Sequence, residues 1–325
     1  SPEAISFIGD ERYDVHATKR AMSAMGIEMP AIDAAVLRAV DFLTATRFGR
    51  RTARATGAGM KRVGGIPTFV EGDPSSSDVL FLHGIPLDAS SWDGVVRELE
   101  PKVSVRASSA DLPGLARTTR TTSLPAAWIE SLLAGHPGKP WIVAHSLGTR
   151  YAVEHAARHP DRVAGLVLVS PFFLQAPPPV FLRNGVIGSI AFSLMRDADL
   201  VKLVGEKWAD APREWLSRPG ARSRVAHALA GAHAVRDELG RMMRALEVPV
   251  VILAGERDPL VEDVGSADVV TIAGTGHFPQ LDAPAAVASV VARLVSRSAQ
   301  TRAPAHARAE ASSVRLAPLA AASLA

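Results

Sequence analysis

The chain has 325 residues, 47% of them apolar, with 36 Lys and Arg against 33 Asp and Glu and no cysteine. That length and apolar content suffice for a full core and exclude a wholly disordered chain. The missing cysteine excludes a disulfide framework, a Cys-ligated zinc or iron–sulfur centre and thiol catalysis.

Charge is unevenly placed: residues 47–62 carry +6 and residues 298–325 carry +2 of a total of +3, which leaves −5 on the body. Basic flanks around an acidic body do not make a duplex-reading face, so no nucleic acid partner is expected. The longest apolar stretch, 185–195, is far too short to span a membrane. Residue 1 is Ser and no signal-peptide pattern follows it. The start reads as a processed or excised end, and a cytoplasmic location is expected.

Taken in order, the first 60 residues suggest a helical extension with two helices, near 15–25 and 32–48. The second is amphipathic and runs into the Arg-rich stretch. A basic amphipathic segment such as 32–54 can lie on an anionic membrane surface. More often such a helix packs on its own domain, or on a domain outside the chain.

From residue 63 the pattern becomes regular. Strands are predicted at 79–82, 103–107, 141–144, 163–169, 249–254 and 269–273, and helices at 92–99, 126–133, 147–158 and 285–295. Apolar, β-branched strands alternating with helices predict an α/β protein, with a mostly parallel sheet covered on both faces. Between 171 and 248 no strand is predicted. That interval holds apolar and aromatic helical material and the run Pro177, Pro178, Pro179, and reads as a helical cap over 172–246, inserted in a core formed by 61–171 and 247–297. The tail, 298–325, has 11 alanines with scattered Arg and Pro. Disorder is its default reading.

Chemistry concentrates at the strand ends. In Ala144-His145-Ser146-Leu147-Gly148 a serine follows a buried apolar strand and opens a helix. Such a turn lifts the hydroxyl above the sheet edge and needs very small residues two before and two after the serine. Ala144 and Gly148 satisfy that, Ala144 with one methyl more than the usual glycine. The helix start also aims backbone N–H groups at a developing oxyanion.

A serine nucleophile needs a base, and the base an orienting acid. Of ten histidines, His277 sits on a glycine loop just past the last strand, where ligands bind in an open α/β sheet. His145 is expected to face away from the serine. Asp258, in Gly255-Glu-Arg-Asp-Pro, follows its strand in the same way; the plainer reading is an Asx turn before a proline. The order Ser146, Asp258, His277 is that of known triads on such sheets. Ile85 in His83-Gly84-Ile85-Pro86 supplies a second oxyanion N–H besides that of Leu147, with Gly84 allowing close approach. His83 reads as a structural hydrogen-bonder, and Asp111 in Asp-Leu-Pro-Gly as turn-forming.

The series His83-Gly84, Asp111-Leu-Pro-Gly114, Ala144-His-Ser-Leu-Gly148, Gly255-Glu-Arg-Asp258 and Gly276-His277 resembles, in order, the motifs of α/β-hydrolase fold serine hydrolases, over residues 63 to about 297. The resemblance implies that 171–248 is a lid, that the substrate is a small acyl compound, and that no metal or organic cofactor takes part. The His-Gly-x-Pro form is similar to that of epoxide hydrolases and haloalkane dehalogenases, but those use an Asp nucleophile, against which Ser146 argues. Asp258 and His277 are only 19 residues apart, shorter than the family's usual interval, which leaves Asp263 as a second candidate acid. The expectation is cleavage of a carboxylic ester, or of a related lactone, amide or C–C bond, with a largely apolar substrate. A non-catalytic binding module on the same fold is the alternative.

Overall fold

A computed structural model describes residues 14–45, 59–118, 125–259 and 267–302. The chain divides into two compact units, 1–52 and 53–325. In the first, α1 spans His16–Ala24 and α2 spans Ile32–Ala45. The apolar side chains Ile32, Val36, Leu37 and Val40 of α2 are exposed. Residues 46–58, which carry most of the basic run, lie outside the described residues.

The second unit begins with a hairpin that the sequence reading did not contain. Strands β1 (Gly59–Val63) and β2 (Ile66–Glu71) pair antiparallel with Val63 opposite Ile66. Gly64 and Gly65 between them have φ of 56° and 80°. Two consecutive left-handed residues make the tight turn whose twist matches that of its strands. The sheet therefore starts at Gly59, inside the segment assigned to the N-terminal extension.

There follow β3 (Ser77–Leu82), α3 (Asp93–Leu99), β4 (Val105–Ala110), α4 (Pro125–Ala134), β5 (Trp141–His145), α5 (Gly148–Arg158) and β6 (Gly165–Val169). Residues 171–248 hold α6 (Gly185–Leu194), α7 (Asp197–Val204), α8 (Asp210–Leu216), α9 (Ala221–Ala234) and α10 (Arg236–Arg244), with short 3-10 turns and no strand. β7 (Val250–Gly255), β8 (Asp268–Ile272), α11 (Pro279–Asp282) and α12 (Pro284–Arg302) complete the unit. Because α12 runs on to Arg302, residues 298–302 of the expected tail are helical; Ser298 accepts a hydrogen bond from the Trp141 indole at 3.1 Å. Residues 303–325 lie outside the described residues.

The sheet order is β1-β2-β4-β3-β5-β6-β7-β8, parallel from β4 through β8. Period-two alternation sorts its side chains. Leu80, Leu82, Ile142, Leu166, Leu168 and Ile252 enter one core with residues of α4, α5 and the insertion. Val79, Phe81, Val143, Val167, Val169 and Leu253 enter the other, against α3 and α12. Each fully buried Leu, Ile or Phe contributes about 1.5–3 kcal/mol. Covering both faces is what makes these strands read as unbroken apolar runs.

The cores fix the sheet rigidly, and its C-terminal edge is where the chemistry-bearing loops emerge. At β4 the observed strand extends to Ala110, three residues past the predicted end. The extra turn of strand carries Asp111 to this same edge.

Candidate active site

β5 delivers Ser146 into a turn that only a strained backbone can make. Its φ is 45°, in the left-handed region, where a residue with a side chain is held only by its surroundings. The Ser146 N–H donates to the Val169 carbonyl at 2.9 Å and its carbonyl accepts from the Thr149 N–H at 3.1 Å, so α5 starts at once. A Cβ on Gly148 would lie 2.6 Å from the His83 carbonyl oxygen and 2.8 Å from that of Leu82. Only glycine fits there. Ala144 is fully buried and its methyl is accommodated.

Gly84 fits the elbow as closely. A Cβ added to it would stand 2.7 Å from Ser146 Cβ and 2.6 Å from His145 Nδ1. The loop after β3 is thereby pressed on the Ser146 turn. Among the described residues the N–H groups of Ile85 and Leu147 donate to no protein acceptor. Two such donors beside one serine are what an oxyanion site requires.

Other contacts brace this loop. His83 is fully buried, with Nδ1 3.0 Å from the Gly84 carbonyl and Nε2 accepting from the Leu112 N–H at 2.9 Å. Burial pushes its imidazole below the usual range, against the pull of Asp111. Trp215 of α8 donates its indole N–H to the Pro86 carbonyl at 3.1 Å. Asp111 does more than form a turn: its carboxylate accepts from the Ala89 N–H at 2.8 Å and from Arg117 Nε at 2.6 Å.

Across the sheet edge, β7 presents Asp258 and the loop after β8 presents His277. The two backbones touch where Gly255 lies: a Cβ there would be 2.0 Å from the Gly276 carbonyl oxygen. His277 Nδ1 is 3.1 Å from Asp258 Oδ1. Burial works against the Asp258 charge, but hydrogen bonding from His277 and from the Ser170 side chain, with the charge of His277, outweighs it and holds the carboxyl below the ordinary range. Asp258 is thus the acid within reach of His277; Asp263 lies outside the described residues. Among the described residues Ser146 Oγ makes no hydrogen bond. In ligand-free enzymes the bond between nucleophile and base is often long and closes with substrate.

Two features differ from the sequence reading or were absent from it. His145 was read only as facing away from the serine, and its contact with His277 was not foreseen. Its ring packs 5.0 Å from that of His277, and its Nε2–H donates to the His277 carbonyl at 2.8 Å. Burial pushes its pKa down to about 3, which keeps it neutral. Gln175, at the start of the insertion, was not foreseen. Its amide Nε2 donates to Asp258 Oδ2 at 2.9 Å and Oδ1 at 3.1 Å. No local pattern marks it, because its partner is 83 residues away.

Among the described residues no group of three or more His, Asp or Glu is placed to share a metal ion, and no helix is long and apolar enough to cross a membrane.

The sequence profile of the Alpha/beta hydrolase family matches residues 79–290. Pimeloyl-[acyl-carrier protein] methyl ester esterase from Chromobacterium violaceum is 36% identical over 110 residues, 33% of this chain and 42% of that protein. The enzyme of that name from Aromatoleum aromaticum is 34% identical over 102 residues, 31% of this chain and 40% of its own. These two matches thus span about two fifths of each relative's length. The Nitrosomonas europaea protein of the same name is 25% identical over 241 residues, 66% of this chain and 94% of that one. A thermophilic esterase from Thermogutta terrifontis superposes with a TM-score of 0.57 at 21% identity, covering 72% of this chain and 94% of its own. A haloalkane dehalogenase loop variant from Bradyrhizobium elkanii gives 0.58 at 20%, covering 75% and 98%. At such identities the superpositions speak to the fold alone.

Proposed function

Because the chain belongs to the alpha/beta hydrolase family, we propose that it is a serine hydrolase that cleaves a carboxylic ester through an acyl-enzyme. The observation that carries this reading is the junction at Ser146. A serine in the left-handed region, pressed against Gly84, stands beside two unpartnered N–H groups, and its neighbour His145 packs on the histidine of a His–Asp pair.

In the mechanism, Ser146 Oγ attacks the ester carbonyl carbon while His277 Nε2 takes its proton. Asp258 keeps the proton of neutral His277 on Nδ1 and stabilises the imidazolium that forms. The N–H groups of Ile85 and Leu147 hold the oxyanion. Collapse of the tetrahedral species breaks the C–O bond to the leaving alcohol, which takes the proton from His277. Water then attacks the acyl-enzyme by the same route in reverse roles, giving the acid and free Ser146. No step calls on a metal or cofactor.

The insertion acts as the cap. Its bonds to the core loops, from Trp215 to Pro86, Arg224 to Gly114 at 2.7 Å and Arg218 to Ala116 at 3.3 Å, support a seat directly above the edge that carries Ser146. The substrate class is an ester of a largely apolar acyl chain with a small alcohol. The apolar composition of 172–195 and the methyl esters named for the relatives support it.

The test is hydrolysis of a panel of methyl and p-nitrophenyl esters of graded chain length, by the wild type and Ser146→Ala. Turnover should drop by ~10⁴–10⁶-fold in the variant. Equal hydrolysis by a folded Ser146→Ala protein would remove Ser146 as nucleophile.

A further inference from the structure

Gln175 lies where a triad has no conventional place for a residue. Besides its two bonds to Asp258, its Nε2 is 3.1 Å from His277 Nδ1 and 3.3 Å from the Ser170 carbonyl oxygen. One amide nitrogen with two hydrogens thus faces four polar atoms. Its backbone is fixed too. Arg236, the first residue of α10, donates to the Gln175 carbonyl and, at 3.0 Å, to that of Phe172. A continuous line of bonds runs from α10 through Arg236 and Gln175 to the carboxylate of Asp258 and the ring of His277.

The chemistry of these atoms limits what the arrangement does. An amide N–H₂ only donates, and a carboxylate only accepts. To act as base, His277 must carry its proton on Nδ1 and leave Nε2 bare. Gln175 and His277 are then two donors to the same carboxylate. Sharing spreads the Asp258 charge over two partners and weakens its pull on the imidazolium. The positive end of the amide dipole beside Nδ1 acts in the same direction. If Gln175 instead donated to Nδ1, the proton would sit on Nε2 and His277 could accept nothing from Ser146. The rotation of one amide therefore selects between a competent and an incompetent tautomer.

We propose that Gln175 is a positioning residue for the acid–base pair: it shares the Asp258 carboxylate with His277, tempers the hold of that carboxylate on the imidazolium, and couples the pair to α10 through Arg236. This rests on the triad reading above. Among the described residues, the charged and titratable groups around His277 are Asp258 from the β7 loop, His145 from the end of β5, and Arg236 from α10 by way of Gln175, with His83 behind His145 and with Glu256 and Arg257 bound to the same loop at Gly274. His145 is neutral across the working range, and Arg236 is present in every variant but its own. A change seen on replacing Gln175 therefore reports the shared carboxylate.

The experiment uses the full chain and two readouts, the His277 titration by NMR of labelled imidazole and the acidic limb of kcat/KM on the ester panel. Gln175→Leu should raise the His277 midpoint, and the limb with it, by about 0.5–1 pH unit. Gln175→Glu should raise both further, and Arg236→Met should shift them the same way by less. Gln175→Met serves in place of Gln175→Leu should the latter not fold. A folded Gln175→Leu or Gln175→Met protein with the midpoint unmoved overturns the inference, as does a downward shift. The NMR titration needs no turnover, so an absence of Ser146-dependent hydrolysis in the wild type would count against the triad reading alone.

Discussion

The two halves of the site are held in different ways. The nucleophile half is defined by backbone. Leu82 pairs with Ala144 in adjacent parallel strands, and the turns that follow them interlock through Gly84 and Gly148, where no Cβ fits. In the acid–base half the backbones also meet, at Gly255 and through the N–H groups of Glu256 and Arg257, which donate to the carbonyls of Ile272 and Thr275 at 3.0 Å, but the reacting groups are set against one another by side-chain hydrogen bonds among Asp258, His277 and Gln175, with His145 behind. Sheet register does not drift, so the first half presents the proposed oxyanion donors without adjustment. Side-chain bonds can be re-partnered, so the second half is where basicity and tautomer are set.

The contrast predicts different failures. On the side-chain side, Asp258→Asn should leave a folded protein and cut kcat by about 10⁴-fold, because the amide no longer fixes the His277 tautomer. Circular dichroism with steady-state kinetics checks both parts. On the backbone side, Gly148→Ala should act first on stability, lowering it by about 1–3 kcal/mol through collision with the carbonyls of Leu82 and His83. Gly255→Ala should do the same against Gly276, which makes it a control for the backbone contacts in the acid–base half. Urea midpoints of the two variants against the wild type measure this.

A smaller effect concerns pH. An unfolded histidine binds a proton below about 6.5, whereas folded His145 stays neutral down to about 3. The unfolded state therefore binds more protons through that window, and stability falls as pH drops through it. At pH 5 the loss from this one buried group is on the order of 2 kcal/mol. His145→Gln keeps a donor for the His277 carbonyl and does not titrate, so its stability should fall less between pH 7 and pH 5. Equal slopes for the two proteins would contradict this. Smallest is Trp215→Phe, which loses the bond to Pro86 at a cost of about 1 kcal/mol. It should loosen the loop that carries Ile85 and show chiefly in kcat, while KM changes little.

What the sequence revealed follows the same division. The strand-end places of Ser146 and Asp258 were legible because each follows an apolar strand buried on both faces, and that of His277 because its glycine loop follows the run Val269-Val270-Thr271-Ile272 of β8, an edge strand that is largely exposed. The hairpin β1–β2 was missed because it lies at the sheet edge: Lys61 and Arg62 are exposed, Pro67 sits in β2, and the basic run before it dominated the reading. Gly64-Gly65 was the signal that could have found it. The end of β4 was read short because Ser108 and Ser109, though buried, are polar and small. Gln175 and Trp215 were out of reach for another reason. Their partners are 83 and 129 residues distant, and a lone Gln or Trp in a helical insertion has no pattern of its own. The contact of His145 with His277 depended likewise on a loop 132 residues away.

The central claim, that Ser146 is activated by His277, is tested most directly by labelling the folded chain with a fluorophosphonate and mapping the adduct by intact mass and peptide sequencing, in the wild type and in His277→Ala. The account predicts one adduct, on Ser146, lost in the variant. An adduct on another serine, or labelling of Ser146 that survives the loss of His277, would contradict it.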